Sequence, residues 1–401
     1  MRVSISVVLA CLLVACALAG CQGTAVRHSG KPSQLRVATY NTSLNDDADG
    51  GLIARLEHGD EAARKVAAVI QAAHPDLLLL NEFDYDAAGR AADLFERDYL
   101  GVGQFGQAPI HYAHRYLASV NTGVPSGMDL DRDGKVGDGK VGGGNDAWGF
   151  GKHPGQYGML VLSRFPIDSA RVRTFQNLRW SAMPGAHSPV DPKSNADWYP
   201  PEVWSRLRLS SKSHWDVPVR TPLGELHFLV DHPTPPVFDG PEDRNGVRNH
   251  DEIRLWAEYL SHPKSAWLCD DAGACGGLAA SARFVIAGDH NADPVDGDSH
   301  GDAIGQLLTH PRVLRYPAPR SAGAPATALR VGGGNVGQRG DPAEDTGDFG
   351  PTVGNLRLDY VLPSAGLRVL DSGVFWPAPG QPGADWIDAS DHHLVWLDIA
   401  N

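Results

Sequence analysis

The stretch "SDHHLVWLDI", Ser390 to Ile399, decides how the rest of the chain is read. Leu394, Val395, Trp396, Leu397 and Ile399 are mostly apolar and β-prone, so the segment predicts a buried strand that closes the chain. A carboxylate and two imidazoles, Asp391, His392 and His393, stand at the mouth of that strand. Polar groups there either punctuate a turn or carry chemistry, and the choice depends on what the other strand ends hold.

They hold similar groups. "LRVATY", Leu35 to Tyr40, alternates like a strand and runs into Asn41. "EAARKVAAVIQAAHPD" has apolar residues at helical spacing, and "LLLLNEFD" is an apolar strand run ending in Asn81, Glu82 and Asp84. Together they predict a strand-helix-strand unit with polar strand ends at one rim. "YGMLVLSRFPI" is a further strand, "ELHFLVDHPTPP" a strand broken by prolines after His232, and "HDEIRLWAEYLSH" a helix. "ARFVIAGDHNADP" is a strand ending at Asp289 and Asn291, and "NLRLDYVLPS" a strand that includes Asp359. Residues 101–156, rich in Gly and Asp, and 177–222, rich in Trp and basic residues, read as insertions. The collected strand ends, Asn41, Glu82, His232, Asp289, Asn291, Asp359 and Asp391-His392, are hard oxygen ligands and imidazoles, a set that suits Mg²⁺ or Mn²⁺ and phosphate oxygens.

In this order, "TYN", "PDLLLLNE", "YGMLVLSRFPI", "VDH", "GDHNADP", "RLDYVL" and "SDH" resemble the motifs of the endonuclease/exonuclease/phosphatase family, with the deoxyribonuclease-I-like fold, from about Leu35 to Ile399. The resemblance implies a four-layer α/β sandwich, two central mixed β-sheets flanked by helices, with the site at their shared rim. It implies Glu82, Asn41 and Asp391 as metal ligands and Asp289 as the group that orients or deprotonates the attacking water. Asn291 would hold a phosphoryl oxygen, His392 would contact the phosphate with Asp359 fixing its tautomer, and His232 would be a general acid or second phosphate donor. His290 stands where the family pattern has an aromatic residue, and His393 is assigned no role. The implied activity is metal-dependent hydrolysis of a phosphodiester or phosphomonoester by in-line attack of water. A nuclease acting on extracellular DNA or RNA and a non-catalytic surface binding module on the same fold are the alternatives.

The remaining features concern the setting. Met1-Arg2 followed by the apolar Val3 to Ala19 has the layout of a secretory signal over residues 1–20, and Leu18-Ala19-Gly20-Cys21 resembles a lipobox that would lipidate Cys21. The polar residues 21–34 suit a tether before a single domain over 35–401, and the expectation is an exported monomer, anchored to the cell envelope, at the outer membrane. An oxidising compartment predicts a disulfide between Cys269 and Cys275 in "WLCDDAGACGG". The net charge of −13 disfavours non-specific binding of nucleic acid. "DLDRDGKVGDGK" starts like a calcium loop, with Asp129, Asp131 and Asp133 at alternate positions and Gly134 following, but Lys140 stands where a bidentate Glu belongs, and Asp138 is its substitute. Arg206, Lys212, His214, Arg244 and Arg248 are the candidate substrate-binding residues, because guanidinium and ammonium groups suit phosphate.

Overall fold

Four consecutive leucines, Leu77 to Leu80, are all buried because their strand is covered on both faces, Leu77 and Leu79 in one apolar cluster and Leu78 and Leu80 in another. The same alternation runs through Phe284 to Ala287, and it is the signature of a layered molecule. The computed structural model describes residues 33–137 and 143–401, and Ser33–Asn401 form one unit. The expected signal segment, Cys21 and most of the tether, together with Asp138 and Lys140, lie outside the described residues.

One sheet has six strands in the order β12 (Arg368–Val374), β13 (Val395–Ala400), β1 (Gln34–Leu44), β2 (Leu77–Phe83), β4 (Met159–Ser163) and β3 (His114–Tyr116). The other has five, β11 (Asp359–Pro363), β8 (Phe284–Asp289), β7 (Gly224–Asp231), β6 (His214–Thr221) and β5 (Arg173–Thr174). A small hairpin of β9 (Gly347–Asp348) and β10 (Asn355–Leu356) lies beside them. Val37, Leu79, Val161 and Leu397 from the first sheet share a buried cluster with Trp215, Phe228, Val285 and Val361 from the second, so the sheets pack face to face. The outer face of the first carries Ala38, Tyr40, Leu78 and Leu80 against helices α1 (Gly51–Glu57), α2 (Glu61–Ala73) and α3 (Arg90–Leu94). Leu229, Phe284 and Ile286 of the second pack with α4 (Pro201–Trp204) and α5 (Arg244–Ser261). This is the expected four-layer α/β sandwich.

Several boundaries differ from the sequence reading. The 177–222 insertion contains a sheet strand, since β6 pairs along its whole length with β7. Pro218 disguised it. The proline is tolerated because, beyond the end of β5, only the short stretch 166–168 pairs with that side of β6, and there Pro218 serves as acceptor, its carbonyl taking the Asp168 N–H at 2.9 Å. Likewise β3 brings part of 101–156 into the first sheet. Helix α5 begins at Arg244, six residues before the periodic stretch, and the edge strand β12 was not anticipated because it is largely exposed. Cys269 and Cys275 are joined in a disulfide, with Cα atoms 3.9 Å apart.

Candidate active site

The strand ends meet because the registers align them. Asn41 lies beside Asn81 in the parallel β1–β2 pair, and Asp359 lies opposite Asp289 in the antiparallel β11–β8 pair. Between the sheets, Asn41 Nδ2 donates to Asp289 Oδ2 at 3.0 Å, and the Asp289 backbone N–H donates to Asn81 Oδ1 at 3.1 Å. Both contacts are buried, so the rim is rigid where the two sheets are stitched together. Asn81, read from sequence only as a strand end, is thus the group that locks β8 onto the opposite sheet, a contact no local pattern encodes.

Asp289 is the hub. His232 Nε2 is 3.4 Å and His392 Nε2 3.5 Å from its Oδ2, and the Asn291 backbone N–H donates to Oδ1 at 2.9 Å. Burial opposes ionisation of Asp289, but the charge of His392 and the hydrogen bond from His232 outweigh it and hold the carboxyl well below the usual range. His392 bridges to the next carboxylate, with Nδ1 2.8 Å from Asp359 Oδ2. The buried imidazole loses solvation, yet Asp359 and Asp289 on its two sides raise its pKa well above the ordinary value. Thr346 Oγ1 donates to the same Asp359 oxygen at 2.7 Å, and burial pushes Asp359 up to about 6. Thr346 is a second group that the sequence did not single out. The buried His232 is pushed down to about 4 by desolvation and by the Lys212 charge, so at neutral pH it is an uncharged imidazole.

Glu82 closes the other side of the rim, half-buried at the end of β2 in a left-handed conformation with φ 56°. A non-glycine residue held there costs on the order of 1–3 kcal/mol, and such strain persists where the surroundings fix it. Ser43, at φ 48° in the β1 bulge, and Asn291, at φ 51°, share this conformation within the same site. Burial raises the Glu82 pKa, the nearby Asp391 adds to the rise, and His392 and Asn41 oppose it. The donors to these two carboxylates are neutral, Asn45 Nδ2 to Glu82 Oε2 at 3.0 Å and Ser43 Oγ to Asp391 Oδ1 at 3.3 Å. Glu82 and Asp391 thus offer two carboxylates whose direct hydrogen-bond donors are neutral, with the Asn41 amide alongside, and oxygen donors of this kind fit a hard divalent cation.

The five candidate substrate residues scatter. Lys212 is buried within reach of the charges of Glu82 and Asp289. His214 is corrected to a structural residue: it is buried, its Nδ1 is 2.6 Å from Ser210 Oγ, and its Nε2 is 2.9 Å from the Glu252 carbonyl and 3.2 Å from Asp231. Arg248 is likewise spent on backbone, donating to the carbonyls of Leu209, Trp148 and Arg208. Arg244 pairs with Glu242, and Arg206 lines a separate open cleft with Met128, Asp129 and Arg132. His290 fills its aromatic slot by packing edge-on against Tyr360. His393 lies against the Trp376 ring, centroids 3.7 Å apart. Asp129, Asp131 and Asp133 do cluster, with Gly134 N–H donating to Asp129 Oδ2 at 3.0 Å.

The model of the endonuclease/exonuclease/phosphatase family matches residues 38–392. The chain belongs to this family. Among solved structures it is similar to an endonuclease/exonuclease/phosphatase protein from Beutenbergia cavernae, at 20% identity and a TM-score of 0.50, covering 92% of this chain and 71% of that one. It is also similar to sphingomyelinase C from Streptomyces griseocarneus, at 19% identity and a TM-score of 0.44, covering 92% and 100%. A beta toxin mutant from Staphylococcus aureus with bound magnesium ions matches at 11% identity and a TM-score of 0.41, covering 92% and 100%. These likenesses concern the fold. No curated protein matches the chain. Membership in the endonuclease/exonuclease/phosphatase family places the chain among proteins of phosphoester chemistry.

Proposed function

We propose that the protein is a metal-dependent phosphoesterase that hydrolyses a phosphodiester or phosphomonoester by in-line attack of water. The observation that carries the reading is the chain of contacts Asp359–His392–Asp289–Asn41, which crosses from one sheet to the other and faces Glu82. Glu82 and Asp391, with the Asn41 side-chain oxygen, would hold Mg²⁺ or Mn²⁺, which supplies positive charge to the phosphoryl oxygens. Asp289, held ionised by its neighbours, orients the attacking water. His392, positively charged between two carboxylates, donates to the phosphoryl group, and Asp359 fixes its orientation through Nδ1. His232, uncharged, serves as a hydrogen-bond donor beside Asp289, and Asn291 steadies that aspartate through its backbone N–H. Lys212, buried within reach of the charges of Glu82 and Asp289, adds an ammonium group beside them.

The test is turnover of nucleic acids, sugar phosphates, inositol phosphates, phospholipids and bis-p-nitrophenyl phosphate with Mg²⁺, Mn²⁺ and Ca²⁺. Turnover of one class that requires metal and is lost in Glu82→Gln supports the reading, because an amide lacks the charge that holds a hard cation. Hydrolysis of nucleic acid alone makes the protein a nuclease. No hydrolysis with any pair overturns catalysis in favour of a binding module.

Export and lipid attachment at Cys21 rest on the apolar Val3 to Ala19 and the Leu18–Cys21 motif, and replacing Cys21 by Ser should release the protein from membranes. The Asp129–Asp131–Asp133 loop is proposed as a structural calcium site, read out as a Ca²⁺-dependent rise in melting temperature that Asp131→Asn removes.

A further inference from the structure

Away from the rim, side chains from three segments far apart in sequence converge. His187 comes from the Trp-rich insertion, His250 and Asp251 from α5, and His300 from the loop after β8. The Nδ1 atoms of His187 and His250 are 3.1 Å apart, and Asp251 Oδ1 lies 3.1 Å from the first and 3.0 Å from the second. These three atoms form a nearly equilateral triangle.

Hydrogen bonds satisfy at most two of its edges. If one imidazole nitrogen accepts from the other, it has no proton for the carboxylate and meets it lone pair to lone pair. If both donate to Asp251, their N–H groups crowd each other. A cation accepts all three at once. The spacing suits it, because tetrahedral ligands at about 2.0–2.1 Å from zinc stand roughly 3.3–3.4 Å from one another, a small expansion of the observed edges.

We propose that His187, His250 and Asp251 form a structural site for a transition-metal dication of the Zn²⁺ class, which the neighbouring His300 would join by a side-chain rotation. Two or three imidazoles with one carboxylate favour Zn²⁺ or Co²⁺ over Mg²⁺ or Ca²⁺, which separates this site chemically from the all-oxygen set at Glu82. The surroundings are built to orient the carboxylate: Asp251 is fully buried, and its other oxygen accepts from Trp180 Nε1 and from the His187 backbone N–H, each at 2.7 Å. The His300 ring centre is 5.6 Å from that of His187 and 5.8 Å from that of His250, and its Nδ1 is held by Asp243 at 2.8 Å, which leaves Nε2 for a metal. His187 and His300 are partly exposed, at 43% and 39% of the side chain, so an ion has a way in. The preceding residue on α5, Asn249, donates to the carbonyls of Thr234 and His290, which adjoin His232 and Asp289 in sequence. A metal here therefore pins the insertion to the helix that braces the rim.

The experiment is titration of chelator-treated protein with Co²⁺, followed by visible absorption and then by displacement with Zn²⁺. The expected result is an intense tetrahedral Co²⁺ band, abolished by Zn²⁺ and present in Glu82→Gln. His187→Gln and His250→Gln should lose the band and weaken Zn²⁺ binding at least about tenfold. Zn²⁺ should raise the melting temperature of the unaltered protein and not of these variants. If His250→Gln fails to fold, the exposed His187→Gln decides the matter alone. An unchanged band in His187→Gln, a band lost in Glu82→Gln, or no band and no Zn²⁺-dependent stabilisation in the unaltered protein would overturn the assignment.

Discussion

At His392 both ring nitrogens face carboxylates, 2.8 Å from Asp359 and 3.5 Å from Asp289, whereas the adjacent His393 lies ring against ring on Trp376 with its Nε2 unpartnered. Successive residues of an extended chain point to opposite sides, which is how one histidine reaches the rim and the next enters the core. His392→Ala removes a preorganised donor to a charged group, and such a loss typically lowers kcat by about 10²- to 10³-fold. His393→Ala removes a packed ring and should instead cost stability, on the order of 2–4 kcal/mol, with kcat nearly unchanged. Kinetics and melts of the two variants check this. A crippled His393→Ala beside a mild His392→Ala would require withdrawal of the roles given to Asp359 and Asp391 as well.

The segments between strands carry their own electrostatics, and the clearest case is Asp345, between the hairpin and the edge of the site. Burial, with Asp293, Asp296, Asp341 and Glu344 nearby, pushes its carboxyl up to about 7. The folded state therefore holds this proton more tightly than the unfolded chain does. Its contribution to stability is complete below the unfolded pKa and is lost as pH rises from there through about 7. Asp345→Asn carries no titrating group, so its stability should fall less than that of the unaltered protein across that window. Melting temperatures at matched ionic strength measure it, and parallel pH profiles would count against the assignment. Elements such as α2 and β8 were legible because their periodicity is local and both faces of the strand are apolar. Strand β6 was hidden by Pro218, and β12 by an exposed edge whose residues carry little apolar signal. The strand-end acids and imidazoles were legible as a set, but the partners that fix them were not. Asn81, Thr346 and the His187–His250 pair act through contacts between positions such as 81 and 289 or 187 and 250, which only the folded chain brings together.

For the molecule as a whole, the site exists only where the two sheets meet, so its geometry should depend on how closely they pack. Ala287 is fully buried between them, paired with Val361 in its own sheet and two residues before Asp289, while β8 packs on β1 and β2 of the other sheet. Ala287→Leu inserts volume into a close-packed layer, which typically costs about 1–3 kcal/mol and is relieved by shifts of backbone. Those shifts would separate Asn41 from Asp289, whose contact at 3.0 Å spans the sheets. Ile70 in α2 is equally buried, but it lies in the outer helical layer, and Ile70→Ala typically costs about 2–5 kcal/mol through a cavity on that side. Assayed at a temperature where both remain folded, Ala287→Leu should lower kcat at least about tenfold, since displacements near 1 Å in a catalytic array are expensive. Ile70→Ala should leave kcat within about twofold, because additivity holds for changes remote from the reacting groups. If the two variants lose activity only in proportion to their loss of stability, the spacing of the sheets does not set the geometry of the rim.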